Sequence, residues 1–315
     1  MLNSLEEKPI PTLREPAESD AAEGTVRPDG TLTTDIAAAS HVAETVIRPT
    51  SGWRSLDLRE LWRYHELLYF LTWRDIKVRY KQTVLGAAWA IIQPVMTMLV
   101  FTIFFGRLGG LEQNTHVTVA YPVFVYAALL PWQFFASSLQ LAGQSLIGSA
   151  NLISKVYFPR LIVPLASIGV GVVDLAISFV MMGCLMVAYG VPITLHLLAL
   201  PLCLVGTLVS ALGAGTLLAA LTVSFRDFRY VVPFLVQIWM FASPVAYPFE
   251  VVPERWRLLY ALNPMAGIIS AYRSTLLGEP FHWGAISISL VSATTIFIAG
   301  ILYFRRVERR FADIV

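Results

Sequence analysis

The chain has 315 residues, of which 56% are hydrophobic and 14% charged. Soluble domains carry ~25% charged residues, so this chain lacks the charge to cover a water-facing surface, which argues against a soluble enzyme. A formal net charge of +2 suggests no nucleic-acid partner, and the positions of the basic residues say more than their sum.

Residues 1–50 are rich in Glu, Asp, Pro, Thr and Ala, lack aromatics, and contain no apolar stretch like a signal-peptide core. Such a segment reads as a disordered cytoplasmic tail. In residues 51–83 the apolar side chains Leu58, Leu61, Trp62, Leu68, Tyr69, Trp73, Ile76 and Tyr80 recur at steps of three and four, among Arg59, Arg63, Glu66, Arg74, Lys77 and Arg79. That spacing predicts an amphipathic helix lying in the membrane interface.

Residues 84–315 hold six apolar runs, at 84–105, 119–141, 161–189, 197–223, 231–247 and 283–304. Each is close to the ~20 residues that cross ~30 Å of hydrocarbon. The fifth is the shortest and carries Pro233 and Pro244, and the mixed-polarity stretch after it, to Pro280, suggests re-entrant helices. The expected fold is therefore an all-α integral membrane protein with six transmembrane helices, an N-terminal interface helix, and re-entrant helices between spans five and six.

Lys155, Arg160, Arg226, Arg229, Arg305, Arg306, Arg309 and Arg310 fall on the same side as the basic residues before span one, whereas the opposite loops hold Arg107, Arg255, Arg257 and Arg273. This asymmetry puts the first set, and both ends of the chain, in the cytoplasm.

Catalytic motifs are missing: there is no phosphate-binding glycine loop ending in Lys-Ser or Lys-Thr, no HExxH, no paired-Cys zinc pattern and no nucleophile elbow. No catalytic residue, metal or bound cofactor is expected. Cys184 and Cys203 sit in apolar runs as small packing residues, and the five histidines are scattered. Asp174 lies about thirteen residues into span three, ~20 Å along a helix and past mid-membrane. An intramembrane carboxylate is a functional candidate by default, although neighbouring Ser or Thr groups, or protonation, would also satisfy it. Arg74, Lys77, Arg79 and Lys81 form a cationic surface at the mouth of span one, suited either to a lipid diphosphate head group or to anionic membrane lipid.

The run Arg74-Asp75-Ile76-Lys77-Val78-Arg79-Tyr80-Lys81-Gln82-Thr83-Val84-Leu85-Gly86, continuing to Trp89-Ala90-Ile91-Ile92-Gln93-Pro94, closely resembles the approach to the first span in permeases of polysaccharide and polyol-phosphate ABC exporters, the O-antigen and teichoic-acid type. Lys155-Val156-Tyr157-Phe158-Pro159-Arg160, Phe225-Arg226-Asp227-Phe228-Arg229, Ser243-Pro244-Val245-Ala246-Tyr247-Pro248 and Leu262-Asn263-Pro264-Met265 follow in that family's order. The resemblance covers roughly residues 56–315.

The resemblance implies two copies of the permease in the bacterial cytoplasmic membrane, joined to two copies of a separate ATP-binding subunit that carries the ATP and Mg. Together they would thread a lipid-linked polysaccharide outward through a continuous channel. Tyr121, Tyr126, Trp132, Phe134, Phe135 and Trp239 are then candidate channel-lining rings. Ser154, Lys155, Val156, Tyr157, Phe158, Pro159 and Arg160 are the expected ATPase contact: residues 154–158 as a short helix ended by Pro159, Tyr157 and Phe158 as anchors, Lys155 and Arg160 as orienting charges. A permease for a small drug or lipid would share the span plan but lack the Arg74–Lys81 block. A membrane glycosyltransferase or acyltransferase would need acids or histidines clustered at one face.

Overall fold

A computed structural model describes residues 58–81, 88–111 and 119–308, all within one compact unit, Leu56–Val315. The reading of residues 1–50 as a tail, the start of span one at 84–87, and Arg309 and Arg310 lie outside the described residues. The described residues form helices joined by turns. Five helical segments are long and apolar enough to cross a membrane: Ala88–Leu108, Tyr121–Gly148, Ile162–Ala188, Leu195–Ser224 and Trp283–Glu308.

Two helices precede the first of these, α1 (Leu58–Arg63) and α2 (His65–Lys81), separated by a break at Tyr64. Leu71 is buried, and the Thr72 hydroxyl approaches the Ala166 carbonyl, with its methyl group 3.0 Å from where a Cβ on Gly169 would sit. Further along α2, Arg79 and Tyr80 reach Asp174. Contacts that advance together along both helices make α2 run parallel to α6 (Ile162–Ala188). Trp62, Tyr69, Phe70 and Trp73 point away from that seam and stay exposed.

The first long segment is α3 (Ala88–Phe101), which continues as a wider π-helical stretch over Thr102–Leu108. The centre of the bundle is α4 (Tyr121–Gly148), whose apolar window is 83% buried. It packs against α6 and α7 (Leu200–Ser224). The seam between α7 and α11 (Trp283–Glu308) is the most extensive in the fold because glycines let the backbones meet. A Cβ on Gly213 would sit 2.6 Å from the Phe297 backbone, and one on Gly300 would overlap the Gly213 carbonyl.

The fifth apolar run is not a full-length helix. Here α8 (Phe228–Phe241) has 14 residues, ~21 Å at 1.5 Å per residue, short of the ~30 Å hydrocarbon core. It stops before Ser243-Pro244 because a residue preceding proline is pushed out of helical geometry. After an irregular stretch and a 3₁₀ turn at Phe249–Val251 come α9 (Glu254–Ala261) and α10 (Pro264–Leu277). Asn263 caps α10 by accepting from the Met265 N–H at 3.0 Å, Pro264 supplies the first turn, and Gly278 ends the helix at φ 77°.

Every residue of α10 is buried, so the backbone freed by these breaks must find partners inside the protein. The single hydroxyl hydrogen of Ser289 of α11 is shared between the carbonyls of Ala261 (2.8 Å) and Asn263 (3.0 Å), and its oxygen accepts from the Gly267 N–H (2.9 Å), while Ser292 donates to the Leu262 carbonyl. Asn263 also accepts from the Trp239 indole at 2.9 Å and donates to the Ala242 carbonyl at 3.0 Å. The stretch 243–248 is held by Tyr121, which donates to Ala246, and by Arg273, which donates to Val245 and Tyr247. Arg273, expected in a loop, is therefore a buried residue of α10 at 2% exposure.

Candidate functional site

A cavity of about 250 Å³ opens where α2, α3, α4 and α6 meet. Its polar wall begins with Asp174, whose Oδ2 lies 2.8 Å from an Arg79 guanidinium nitrogen. Tyr80 donates its phenolic hydrogen to Asp174 Oδ1. Burial first, then that hydrogen bond, pushes the Tyr80 hydroxyl up to about 12, so it remains a donor at neutral pH. Opposite this triad, α3 brings Trp89 and Gln93, and α4 brings Gln133, Phe134 and Ser137.

The sequence placed Asp174 past mid-membrane and offered Ser or Thr groups as its partners. Across the cavity Asp174 faces Trp89, Gln93 and Pro94 of α3, and its partners are Arg79 and Tyr80 rather than Ser or Thr. The pairing follows from α2 running parallel to α6, which has 27 residues, so that the end of α2 meets the middle of α6.

Of the cationic set, Arg79 alone lines the cavity. Arg74 pairs with Asp75 at 2.8 Å, Lys77 lies over the Trp73 ring at 5.3 Å, and Lys81 is exposed at the end of α2. Among the six aromatic candidates, Phe134 borders the cavity. Tyr121, Tyr126, Trp132 and Phe135 are at most 2% exposed and fill the protomer's core, and Trp239 meets Phe135 edge-on at 5.0 Å while bonding Asn263. Gln93 and Gln133 were not singled out from sequence; polar residues at matching depth on adjacent spans were the available sign.

The loop between α4 and α6 folds differently from expectation. Its short helix is α5 (Ala150–Lys155), four residues earlier than proposed, and Val156 is already extended. Ser154, Lys155, Val156 and Tyr157 are exposed, Tyr157 at 75%, whereas Phe158 is buried at 5%. Phe158 belongs to a cluster with Leu71, Ile153, Ile162, Val223 and Phe304. Pro159 is half-buried beside it, and the Arg160 N–H donates to Glu308 Oε1 at 3.1 Å while its guanidinium donates to the Glu308 carbonyl.

Long apolar helices, helix breaks with internally satisfied backbones, and a polar cavity among the first three spans define a multi-span membrane protein. Residues 66–277 match the model of the ABC-2 type transporter family, and the chain belongs to that family. It is 29% identical over 255 residues to the O-antigen export system permease protein RfbA of Myxococcus xanthus, covering 80% of this chain and 96% of the relative. A Klebsiella pneumoniae protein of the same name is 26% identical over 251 residues, 79% and 95% of the two chains. The polysialic acid transport protein KpsM of Escherichia coli is 23% identical over 243 residues, 75% and 91% of the two chains.

Proposed function

We propose that this chain is the permease subunit of an ABC exporter that moves a lipid-linked polysaccharide of the O-antigen kind across the bacterial cytoplasmic membrane. The observation that carries the reading is similarity to O-antigen export permeases over 95% or more of their length. Two copies of the chain would act with two copies of an ATP-binding subunit, which holds the ATP and Mg. No nucleic acid takes part.

In this reading the five long helices and α8 make six crossings, both ends are cytoplasmic, and Lys155, Arg160, Arg226 and Arg229 face the cytoplasm. The short α8 is completed by the 243–248 stretch, and α9 and α10 fold back from the outer side as a re-entrant hairpin. Support for the hairpin is that Leu262 and Asn263, at its tip, bond Ser289 and Ser292, well inside α11. Exposed Tyr157 beside Lys155 is the ATPase contact, with Phe158 as its root in the bundle.

Removing the gene from a host that displays the glycan should abolish surface polysaccharide and leave lipid-linked glycan on the cytoplasmic side; the wild-type chain should restore display. Normal surface polysaccharide in the deletion strain would refute the reading.

A further inference from the structure

We propose that the cavity between α2, α3, α4 and α6 is a carbohydrate subsite that holds one sugar ring of the exported glycan; this rests on the export reading above. Three properties of the cavity select such a ligand.

The first is charge. Arg79 is engaged by Asp174 at 2.8 Å, so the wall carries both signs. A diphosphate entering here would meet the Asp174 carboxylate as well as the guanidinium, and a like-charge contact of that kind is unfavourable. A neutral, hydroxyl-rich ligand has no such conflict.

The second is hydrogen-bonding capacity. The side-chain amides of Gln93 and Gln133 line the cavity and form no hydrogen bond to any described residue. Each amide offers both donors and an acceptor. Polar groups near hydrocarbon are costly without partners, and sugar hydroxyls, which donate and accept equally, would satisfy both.

The third is shape. Trp89, 53% exposed, borders the same space, with buried Phe134 closing the wall behind it, and an aromatic face carries negative charge density that attracts the C–H face of a sugar ring. The cavity, about 250 Å³, is slightly below the ~300–1,000 Å³ of small-molecule sites, so it admits one ring rather than a chain. Its lining residues Leu130–Ser137 and Asp174–Ser178 lie near the middle of α4 and α6, within the bundle that a glycan would have to cross.

The test uses the permease with its partner ATPase in proteoliposomes, and lipid-linked glycan carrying a sugar radiolabel as the probe. Gln93→Leu and Gln133→Leu should each raise the glycan concentration for half-maximal transport about fivefold to tenfold, the loss of one neutral hydrogen bond, with the maximal rate retained. Both replacements remove an unpaired amide, so neither is expected to harm folding. In cells, Gln133→benzoylphenylalanine should photo-crosslink to glycan, and the adduct should keep its sugar label after mild acid, which cuts glycosyl phosphates. The same residue in Val180→benzoylphenylalanine, on an exposed apolar face of α6, should capture no sugar. Unchanged half-saturation in both Leu variants, or an adduct that keeps phosphate and loses sugar, would overturn the subsite while leaving the export reading intact. Failure of the wild-type complex to transport any glycan would overturn both.

Discussion

Arg273 gives the sharpest energetic test of the fold. Its guanidinium donates to the carbonyls of Val245 at 2.8 Å, Tyr247 at 3.0 Å and Phe124 at 3.4 Å, and lies 3.6 Å from the centre of the Phe124 ring. Arg273→Met keeps an unbranched apolar stem but is shorter and removes every donor. Two good bonds from a charged donor contribute ~1.5–3 kcal/mol each, and a desolvated cation–π contact about 2 kcal/mol. Against this stands the desolvation of the guanidinium, several kcal/mol for a buried ion, which the substitution relieves. The net cost should be about 2–4 kcal/mol, most of it from carbonyls left without a partner. The damage should be local, because Val245 and Tyr247 belong to the irregular stretch that joins α8 to α9. In a background lacking Cys184 and Cys203, Ala246→Cys, buried at 5% exposure in the wild type, should become reactive to a small thiol reagent once Arg273 is Met. The apparent melting temperature in nanodiscs should fall by several degrees. An unlabelled Ala246→Cys together with an unchanged melting temperature would refute the view that Arg273 holds this stretch.

The helix seams make a second prediction: Gly213→Leu, whose Cβ would sit 2.6 Å from the Phe297 backbone, should cost about 1–3 kcal/mol or more by overpacking. Gly148→Ala, with open space around it, should be neutral or slightly stabilising, and equal melting temperatures for the two variants would contradict the α7–α11 packing. In the loop proposed as the ATPase contact, Tyr157→Ala should leave thermal stability unchanged and reduce co-purification of the ATPase by tenfold or more. Phe158→Ala should instead cost ~3–5 kcal/mol through a core cavity and lower membrane abundance; identical behaviour of the pair would contradict the exposed and buried roles assigned to them. For topology, Lys155→Cys and Arg226→Cys should resist an impermeant thiol reagent outside intact cells, and Glu254→Cys should react; external labelling of Lys155→Cys would reverse the orientation.

The spans were legible because hydropathy reports the solvent around a helix, and most boundaries agree within a few residues, as for 161–189 against Ile162–Ala188. Where a backbone leaves the helix inside the protein, hydropathy is silent. The run 231–247 reads as one span, yet α8 ends at Phe241 and the remaining residues are irregular, made tolerable by Tyr121 and Arg273 more than a hundred and about thirty positions away in the chain, respectively. Arg273 was misread as a loop cation for the same reason, since its partners are carbonyls that no side-chain pattern displays. Asp174 stands out in the sequence as an acid inside an apolar run, but its partners Arg79 and Tyr80 lie 94 or more positions away on α2, which no local pattern displays. The aromatic candidates show the complementary limit: large rings in or near spans look alike in sequence whether they face a channel, lipid or core, and five of the six are at most 2% exposed within this chain. Helix periodicity likewise could not say whether residues 154–158 or the preceding turn would be helical, because either stretch is too short to carry a period.

If residues 154–160 are the ATPase contact, as proposed, the arrangement of α2 supplies a mechanical reason for their placement. Phe158 shares one buried cluster with Leu71 of α2, Ile162 of α6 and Phe304 of α11, and Arg160 ties the loop to the last turn of α11 through Glu308. A displacement of Tyr157 by the ATPase would therefore be delivered to three helices at once, since a close-packed cluster has little free volume in which to absorb it. α2 continues from Leu71 to Arg79 and Tyr80, ~12–14 Å along a helix, where it meets Asp174 at the wall of the cavity. The Arg79–Asp174 contact is then the point at which motion begun at the loop would widen or narrow the proposed sugar subsite. Asp174→Asn retains the shape and the Tyr80 contact but weakens the hold on Arg79. It should lower glycan transport per ATP hydrolysed by several-fold while leaving ATPase assembly intact, because Tyr157 and Phe158 are untouched. A transport-to-hydrolysis ratio equal to wild type in that variant would show that α2 does not link the loop to the cavity.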